Sequence, residues 1–503
     1  MRRDFQIFYT GDIHGYFSPI DYATGTKNCS GLANCAAEFR CDGNTLIIDG
    51  GDVFQGSPFT YFLSRTGRHP GCIAADIMNI CGYRYYTLGN HDFSYGREEL
   101  SGYISSMNAK CLCANISGID GVDRFDIFTL ENGLRIGLTG IITDYTQYLE
   151  SPENIRGIVF SDPSIAAQKA LEDMKTVGAD ATVCIYHGGF EIENEPYSGE
   201  NIGRRICNEL GFDLLLAAHQ HIVYENLNIG GTVACEPPEK AAGYLHICAS
   251  VEETDFGRSF SAESKLCRPG EYPDAGLSRY LEEYERRCAE WLDIPIGHLD
   301  VPLYPEDHIK MAEEGSLIAN FFNQIQLEVS GADISVTSLG NDVRGFSKDV
   351  TIRDVAATYV FPNTLLTLEV NRSVLKKALE RSAEYFKLSD DRKLSVSESF
   401  LSPRVEHFNF DYFSGVDAVA DIRRPVGDRI VSISYKGKEL DDGMMLKLCV
   451  NSFRASGAGG YSFYKDCPVV GHIHTEISEL IMDYIERHRD IKVDKKRWLK
   501  VLY

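Results

Sequence analysis

Short apolar runs rich in β-branched and aromatic residues alternate with helical or loop stretches from residue 1 to about 270, the pattern of stacked sheets flanked by helices. Several runs are continuous rather than alternating: IFYT at 7–10, TLIID at 45–49, ATVCIYH at 181–187 and FDLLLAA at 212–218. A strand covered on both faces needs such continuity. The period then changes. In GLSRYLEEYERRCAEWL, 276–292, the residues Leu277, Tyr280, Leu281, Tyr284, Cys288 and Trp291 share one helical face, which predicts an amphipathic connector ended by Pro295 and Gly297. GSLIANFFNQIQLEV at 315–329 predicts the helix that opens a second unit, and KDCPVVGH at 465–472 reads as a surface loop. The expected architecture is α/β, with domains at 1–270 and 296–503 and a linker helix at 271–295.

The polar residues that end the apolar runs carry the candidate chemistry. FYTGDIHGYF delivers Asp12 and His14, TLIIDGGD delivers Asp52, YYTLGNHD delivers Asn90 and His91, ATVCIYHGG delivers His187, and FDLLLAAHQH delivers His219 and His221. In α/β sheets ligands sit beyond the carboxyl ends of strands. Any one of these ends could be a turn or cap, but five in succession supply the donor types that bind a hard or borderline divalent cation. Two such cations close together can activate water and clamp the oxygens of a phosphate during in-line displacement. Asp52 is the natural bridge, because its two oxygens can each face one ion. Asp12, His14 and one histidine of the H-x-H pair would complete one site, and Asn90, His187 and the other histidine the second. Imidazole, carboxylate and amide donors suit Mn, Zn, Fe or Co better than Ca and leave the metal open. His91 lies one residue past a ligand, placed to stabilise the transferred phosphoryl group or to protonate the leaving oxygen.

Composition narrows the partners. At 503 residues, with 44% hydrophobic and 24% charged residues, the chain has the make-up of a globular protein of two domains or so. A net charge of -23 excludes a general binder of nucleic-acid polymers, which needs Lys and Arg against phosphate. The cluster Lys495, Lys496 and Arg497 reads as a solvated helix end or tail. There is no run of 18 apolar residues for a membrane span. Fifteen cysteines without C-x2-C spacing read as reduced thiols. With no signal peptide in MRRDFQIFYTGD, the expected location is cytoplasmic, or extracytoplasmic if the chain is a trimmed form.

The order and spacing of these motifs resemble the calcineurin-like metallophosphoesterases, and more narrowly the two-domain family of 5′-nucleotidases and 2′,3′-cyclic-nucleotide 2′-phosphodiesterase/3′-nucleotidases. GDVFQGSP at 51–58 extends the likeness beyond the metal motif, and YVFPNTLLTLEV, PVGDRIVSI and NSFRASGAGGY extend it into the second half. The resemblance implies an N-terminal β-sandwich flanked by helices, a linker helix and a C-terminal α/β nucleotidase domain. It implies two divalent metal ions (Mn, Zn, Fe, Co or Mg), with Asp12, His14, Asp52 and His221 on one and Asp52, Asn90, His187 and His219 on the other. It further implies that Phe361 and Phe453 stack on the two faces of a base, that Asn363 bonds the base edge, and that Arg344 contacts phosphate or sugar. Stacking on aromatic faces tolerates any base. Core packing is the competing reading for the two phenylalanines, as a surface salt bridge is for Arg344.

Three departures bear on the subgroup. Ser94 replaces an aspartate three residues after His91, so His91 would lack a carboxylate to orient it. Gly459 replaces a ribose-contacting aspartate, and only His308 and Lys310 stand where a basic pair is expected. GNHDFSYG, FPNTL, FNFDYFSGV and the N-x-F-R-A run resemble the cyclic-phosphodiesterase branch. The expected activity is hydrolysis of 2′,3′-cyclic nucleotides, then 3′-nucleotides. The alternatives are 5′-nucleotide or nucleotide-sugar hydrolysis and, in another class, nucleotide binding without turnover.

Overall fold

The structure is a computed structural model that describes residues 2–191, 199–254, 257–361, 363–389, 391–402 and 404–503. The chain forms two compact units, 1–289 and 290–503. The expected connector is a helix, Ala275–Leu292, with Leu277, Leu281, Cys288 and Leu292 buried.

Two sheets build the first unit. In one, the strands Arg2–Thr10, Thr45–Asp49, Tyr85–Tyr86, Lys110–Leu112 and Val122–Asp123 run parallel, and Tyr244–Thr254 and Gly257–Cys267 extend it antiparallel. In the other, Arg135–Ile142, Ala181–His187, Leu214–Ala217 and Thr232–Glu236 run parallel between antiparallel edges. The sheets share a core: Phe5, Ile7, Tyr9, Leu46, Ile48, Leu138, Val183, Ile185, Leu214, Leu216, Leu245 and Ile247.

The intervening positions explain the continuous apolar runs. Cys184, Tyr186, Leu215 and Ala217 face a second core with residues of the helices Pro163–Thr176 and Gly203–Glu209, so these strands are buried on both faces. The Tyr9 hydroxyl crosses between sheets to donate to Ala217 O at 2.8 Å. Parallel strands of one sheet end on the same side, which is what brings Asp12, Asp52 and Asn90 together.

The second unit is built on a mixed sheet in the order Asp411–Ser414, Ile334–Ser338, Leu446–Asn451, Leu365–Val370, Val469–Ile473. Ile334, Val336, Leu368, Val370, Leu448 and Val450 pack with Leu375 and Leu379 of the helix Arg372–Ala383, whose first turn is capped by Asn371.

Two readings differ from the structure. The unit opens with a strand, Pro295–Leu299, before the helices His308–Glu314 and Leu317–Ser330; Pro295 is its first residue, where a missing N–H costs no interior ladder bond. The expected loop at 465–472 contains the start of the edge strand Val469–Ile473, paired with Leu365–Val370. Its valines stay about half exposed because nothing pairs its far side. Lys495 and Lys496 lie in a coil segment, as a solvated tail would, and pair with Asp300 and Asp417.

All fifteen cysteines are thiols. No helix of the described residues is long and apolar enough to cross a membrane.

Gly140 marks a close approach of the two sheets. Its carbonyl accepts Ala114 N–H at 2.7 Å, and a Cβ there would collide with Leu112 O. Gly140→Ala is expected to destabilise the first unit by about 1–3 kcal/mol or more, since backbone cannot yield as a side chain can; urea unfolding followed by circular dichroism reads this.

Candidate dinuclear metal centre

Three of the strand ends turn sharply to present their polar residues. Asp12, His14, Asp52, His219 and His221 have φ of 53°, 50°, 58°, 85° and 60°, half of the non-glycine positive-φ residues described. Side chains resist this left-handed region, and such strain concentrates where a site imposes it. Backbone bonds lace the ends together: Asp12 N–H to Gly51 O at 2.9 Å and His14 N–H to Asp52 O at 2.8 Å. Gly89 has no substitute, because a Cβ there would strike Asp52 and His187.

The side chains gather into two adjoining donor sets. One ligand atom from each of Asp12, His14 and His221 lies within 4.8 Å of the others, and the same holds for Asp52, His187 and His219. Asn90 joins the second set, its Oδ1 at 3.2 Å from His187 Nε2. Asp52 stands between the two sets, its Oδ2 at 3.3 Å from His187 Nε2 and 3.9 Å from His14 Nε2. Oδ1 accepts His91 N–H at 2.7 Å, and Oδ2 faces both imidazoles.

The ring nitrogens away from the centre are each engaged. His14 Nδ1 and His187 Nδ1 donate to Gln55 O at 2.9 Å and Gly50 O at 2.7 Å. His221 Nδ1 lies 3.2 Å from Glu239 Oε2, and His219 Nε2 lies 3.0 Å from Glu200 Oε1. Such outer partners fix the tautomer and turn the other nitrogen's lone pair toward a metal. His14 Nε2 and His221 Nε2 stand 3.1 Å apart, a contact of two lone pairs that needs a proton or a cation nearby. The donors are therefore the right types, in two sets, with their second shell in place: they fit two divalent cations of the Mn, Zn, Fe or Co kind.

The electrostatics reflect crowding. Burial works to raise Asp52, but His187 and His91 outweigh it and hold the carboxyl well below the usual range. Burial works to lower His187, but Asp52 outweighs it and raises the ring to about 9. His221 rises against burial to about 10 through Asp12 and Glu239, whereas burial takes His14 down to about 4.

Five acidic residues escaped the sequence reading. Asp92 accepts Asp52 N–H at 3.0 Å, Val53 N–H at 2.8 Å and Gly89 N–H at 2.9 Å. Glu236 accepts the N–H groups of Gln220 and Ile222, which flank His221. Glu200 and Glu239 orient histidines, as above. Glu150, buried, accepts Ser94 Oγ–H at 2.6 Å, so a carboxylate from another element occupies the neighbourhood that the Ser94 substitution emptied. Only Asp92, inside GNHD, had a sequence signal.

The remaining predicted residues lie in the second unit. Phe361 is half-buried, edge-on to Tyr359 at 6.1 Å, and Phe453 is 43% exposed, so core packing does not account for Phe453. Asn363 lies beside the Tyr359 hydroxyl. Arg344 is exposed, and among the described residues no ion pair holds it. The segments are tied by Ser452 N–H to Thr364 O at 2.9 Å. These residues belong to a separate unit from the donor sets.

A two-sheet α/β unit whose strand ends assemble paired Asp/His/Asn donor sets about one carboxylate is the architecture of a dinuclear metallohydrolase. Residues 5–223 match the model of the calcineurin-like phosphoesterases and residues 295–466 that of the 5′-nucleotidase C-terminal domain. The chain belongs to this two-domain metallophosphoesterase family, whose members are phosphoric ester hydrolases that use two divalent metals. It is 24% identical to the 2′,3′-cyclic-nucleotide 2′-phosphodiesterase/3′-nucleotidase of Haemophilus influenzae, over 96% of this chain and 84% of that protein. It is 23% identical to the trifunctional nucleotide phosphoesterase of Bacillus subtilis, over 96% of this chain but only 38% of that longer protein. Among solved structures, a candidate 5′-nucleotidase from Staphylococcus aureus superposes with a TM-score of 0.77 at 29% identity over the whole of both chains.

Donors must shed protons to take a metal. Because His187 and His221 hold theirs until about 9 and about 10, metal uptake near neutral pH is expected to release about two protons per chain. Affinity should climb as pH rises from about 6.5 to about 9. In the metal-free chain the same raised imidazoles add stability that is full below about pH 6.5 and is lost as pH rises through the folded values. Calorimetric titration in buffers of different ionisation enthalpy reads the proton count, and Asp52→Asn should diminish it.

Proposed function

We propose that this protein hydrolyses 2′,3′-cyclic nucleotides to 3′-nucleotides and then removes the 3′-phosphate. The observation that carries the reading is the pair of donor sets sharing Asp52, with His91 beside them: its ring is edge-on to His14 at 5.2 Å. When bound, the two cations supply Lewis-acid activation of water and charge stabilisation for the phosphoryl oxygens. In the first reaction the water oxygen forms a bond to phosphorus and the bond from phosphorus to the 2′ oxygen breaks. His91 delivers the proton that the departing oxygen needs, or donates to the phosphoryl oxygens. Asp12, His14 and His221 would hold one ion and Asp52, Asn90, His187 and His219 the other, with Asp52 placed between the two sets.

Phe361 and Phe453 are assigned to the base and Asn363 to its edge. The partial exposure of Phe453 supports this, since an aromatic left open beside a polar turn is available for stacking. Arg344, exposed and without an ion pair among the described residues, is assigned to the sugar or phosphate. The name of the Haemophilus relative supports the cyclic-nucleotide reading. The second reading is 5′-nucleotide hydrolysis, favoured by relatives named 5′-nucleotidase in Vibrio cholerae and cattle, 22% and 23% identical over more than nine-tenths of the chain.

With the Mn-loaded protein, kcat/KM is expected to fall in the order 2′,3′-cyclic AMP, 3′-AMP, 5′-AMP. Turnover of 5′-AMP alone would overturn the lead reading in favour of the second. His91→Ala should lower kcat by about 10²–10⁴-fold with little change in metal content, whereas Phe453→Ala should raise KM, in keeping with a stack worth about 1–3 kcal/mol.

A further inference from the structure

A second convergence of strand ends lies in the second unit. Ile334–Ser338 and Leu446–Asn451 are parallel, and Asp411–Ser414 and Leu365–Val370 run against them. The carboxyl ends of the first two and the amino ends of the others therefore share one edge of the sheet, carrying Gly340 and Asn341, Phe453, His407, and Phe361. Gly340 touches the Phe361 ring, a Cβ there lying 3.6 Å from it. The next residue, Asn341, anchors two histidines: its carbonyl accepts from His308 Nε2 at 2.9 Å and its Oδ1 accepts His407 N–H at 3.0 Å.

These two imidazoles stack face to face, centroids 4.0 Å apart and planes 13° off parallel. His308 donates from Nε2, so the neutral ring keeps an acceptor lone pair on Nδ1. His407 Nδ1 meets the Tyr385 hydroxyl at 2.6 Å; with that hydroxyl donating, His407 keeps its proton on Nε2. Neither remaining nitrogen has a protein partner among the described residues. Two neighbouring polar groups are already engaged. Asn341 Nδ2 donates to Val405 O, and Arg454 is committed to Asp411, Asn409, Phe408 O and Ala458 O. Gly459 can offer nothing, since a Cβ would strike Arg454 and Asn409.

We infer that the stacked His308–His407 pair binds the sugar hydroxyls of the nucleotide whose base is held by Phe361 and Phe453. The inference rests on the base assignment proposed above. One acceptor and one donor side by side match hydroxyl groups, which both give and receive, better than a phosphate, which only receives. Burial, and then His308, lower the His407 imidazole below its ordinary value, which favours the neutral form of that ring and again disfavours an anion. The pair is a specificity element that reads the sugar while the aromatic rings tolerate any base.

Nucleosides carry no scissile phosphate, so binding can be measured on the metal-loaded full chain without turnover. Calorimetric titration would use adenosine, its 2′-, 3′- and 5′-deoxy analogues, and adenine. Wild type is expected to bind adenosine roughly five- to tenfold more tightly than at least one deoxy analogue, the worth of one hydrogen bond. His308→Phe and His407→Phe preserve the stack and remove the nitrogens; they should abolish that difference while leaving adenine affinity unchanged. If either loses its thermal transition, Asn at the same position replaces it. Equal binding of all four nucleosides by wild type, or undiminished discrimination in the variants, would overturn the inference while adenine binding still upheld the base site. Failure of adenosine and adenine alike to bind would overturn the base assignment, and this inference with it.

Discussion

The Asp52 carboxylate is the constraint about which the first unit is organised. It is 1% exposed, sits in left-handed backbone at φ 58°, and lies between His14 and His187. A buried carboxylate is costly unless it is paired and hydrogen-bonded, and here it is both. Asp92 grips the Asp52 and Val53 amides and the Gly89 amide together, so one acid staples the ends of two adjacent parallel strands. The five strained ligand residues each cost about 1–3 kcal/mol, held in place because the two-sheet core over-determines the strand directions.

The second unit uses a different charge for a similar end. Arg454 is 1% exposed, bonded to Asp411 at 2.8 Å and lying 4.3 Å from the Tyr461 ring. Its guanidinium bonds to both sides of a turn at the sheet edge. Breaking such a buried pair by removing one partner costs about 3–5 kcal/mol, because the other charge is left alone. Arg454 follows Phe453 directly, so the charge that pins the turn also limits where the aromatic ring can lie. The stacked His308–His407 pair is fixed through Asn341. In both units rigid strands set positions and buried charges set the angles of what protrudes.

What was legible in the sequence is what depends on local order along a strand. Continuous apolar runs announced strands buried on two faces, and the polar residue at each end announced its own position. The supporting carboxylates were not legible, because a partner such as Glu200 or Glu239 reaches its histidine from a loop with no periodicity. Glu150 meets Ser94 across 56 residues of chain, a pairing only tertiary register decides. The strand at Val469–Ile473 escaped notice because a proline and a glycine flank its valines, which are the marks of a loop when pairing partners are unknown. The bond between the His91 amide and Asp52 Oδ1 was not legible either, because the 3₁₀ turn Asn90–Phe93 that makes it depends on the register of two strands.

The supporting acids explain how so acidic a chain can handle an anionic ester. Asp12, Asp52, Asp92, Glu200, Glu236 and Glu239 stand close to four imidazoles, and the strain of that assembly falls on the outer members. Burial, then Asp52, raise Asp92 to about 6; burial, then Asp12, raise Glu236 to about 9. A proton on Glu236 partly answers the excess negative charge. Two dications answer it more fully, and they also reverse the sign of the local field that a phosphate would meet. The acids that repel the substrate without metal are therefore the ones that make metal retention favourable. The net charge of -23 opposes long polyanions over the whole surface, while a single phosphoryl group needs only one locally positive centre.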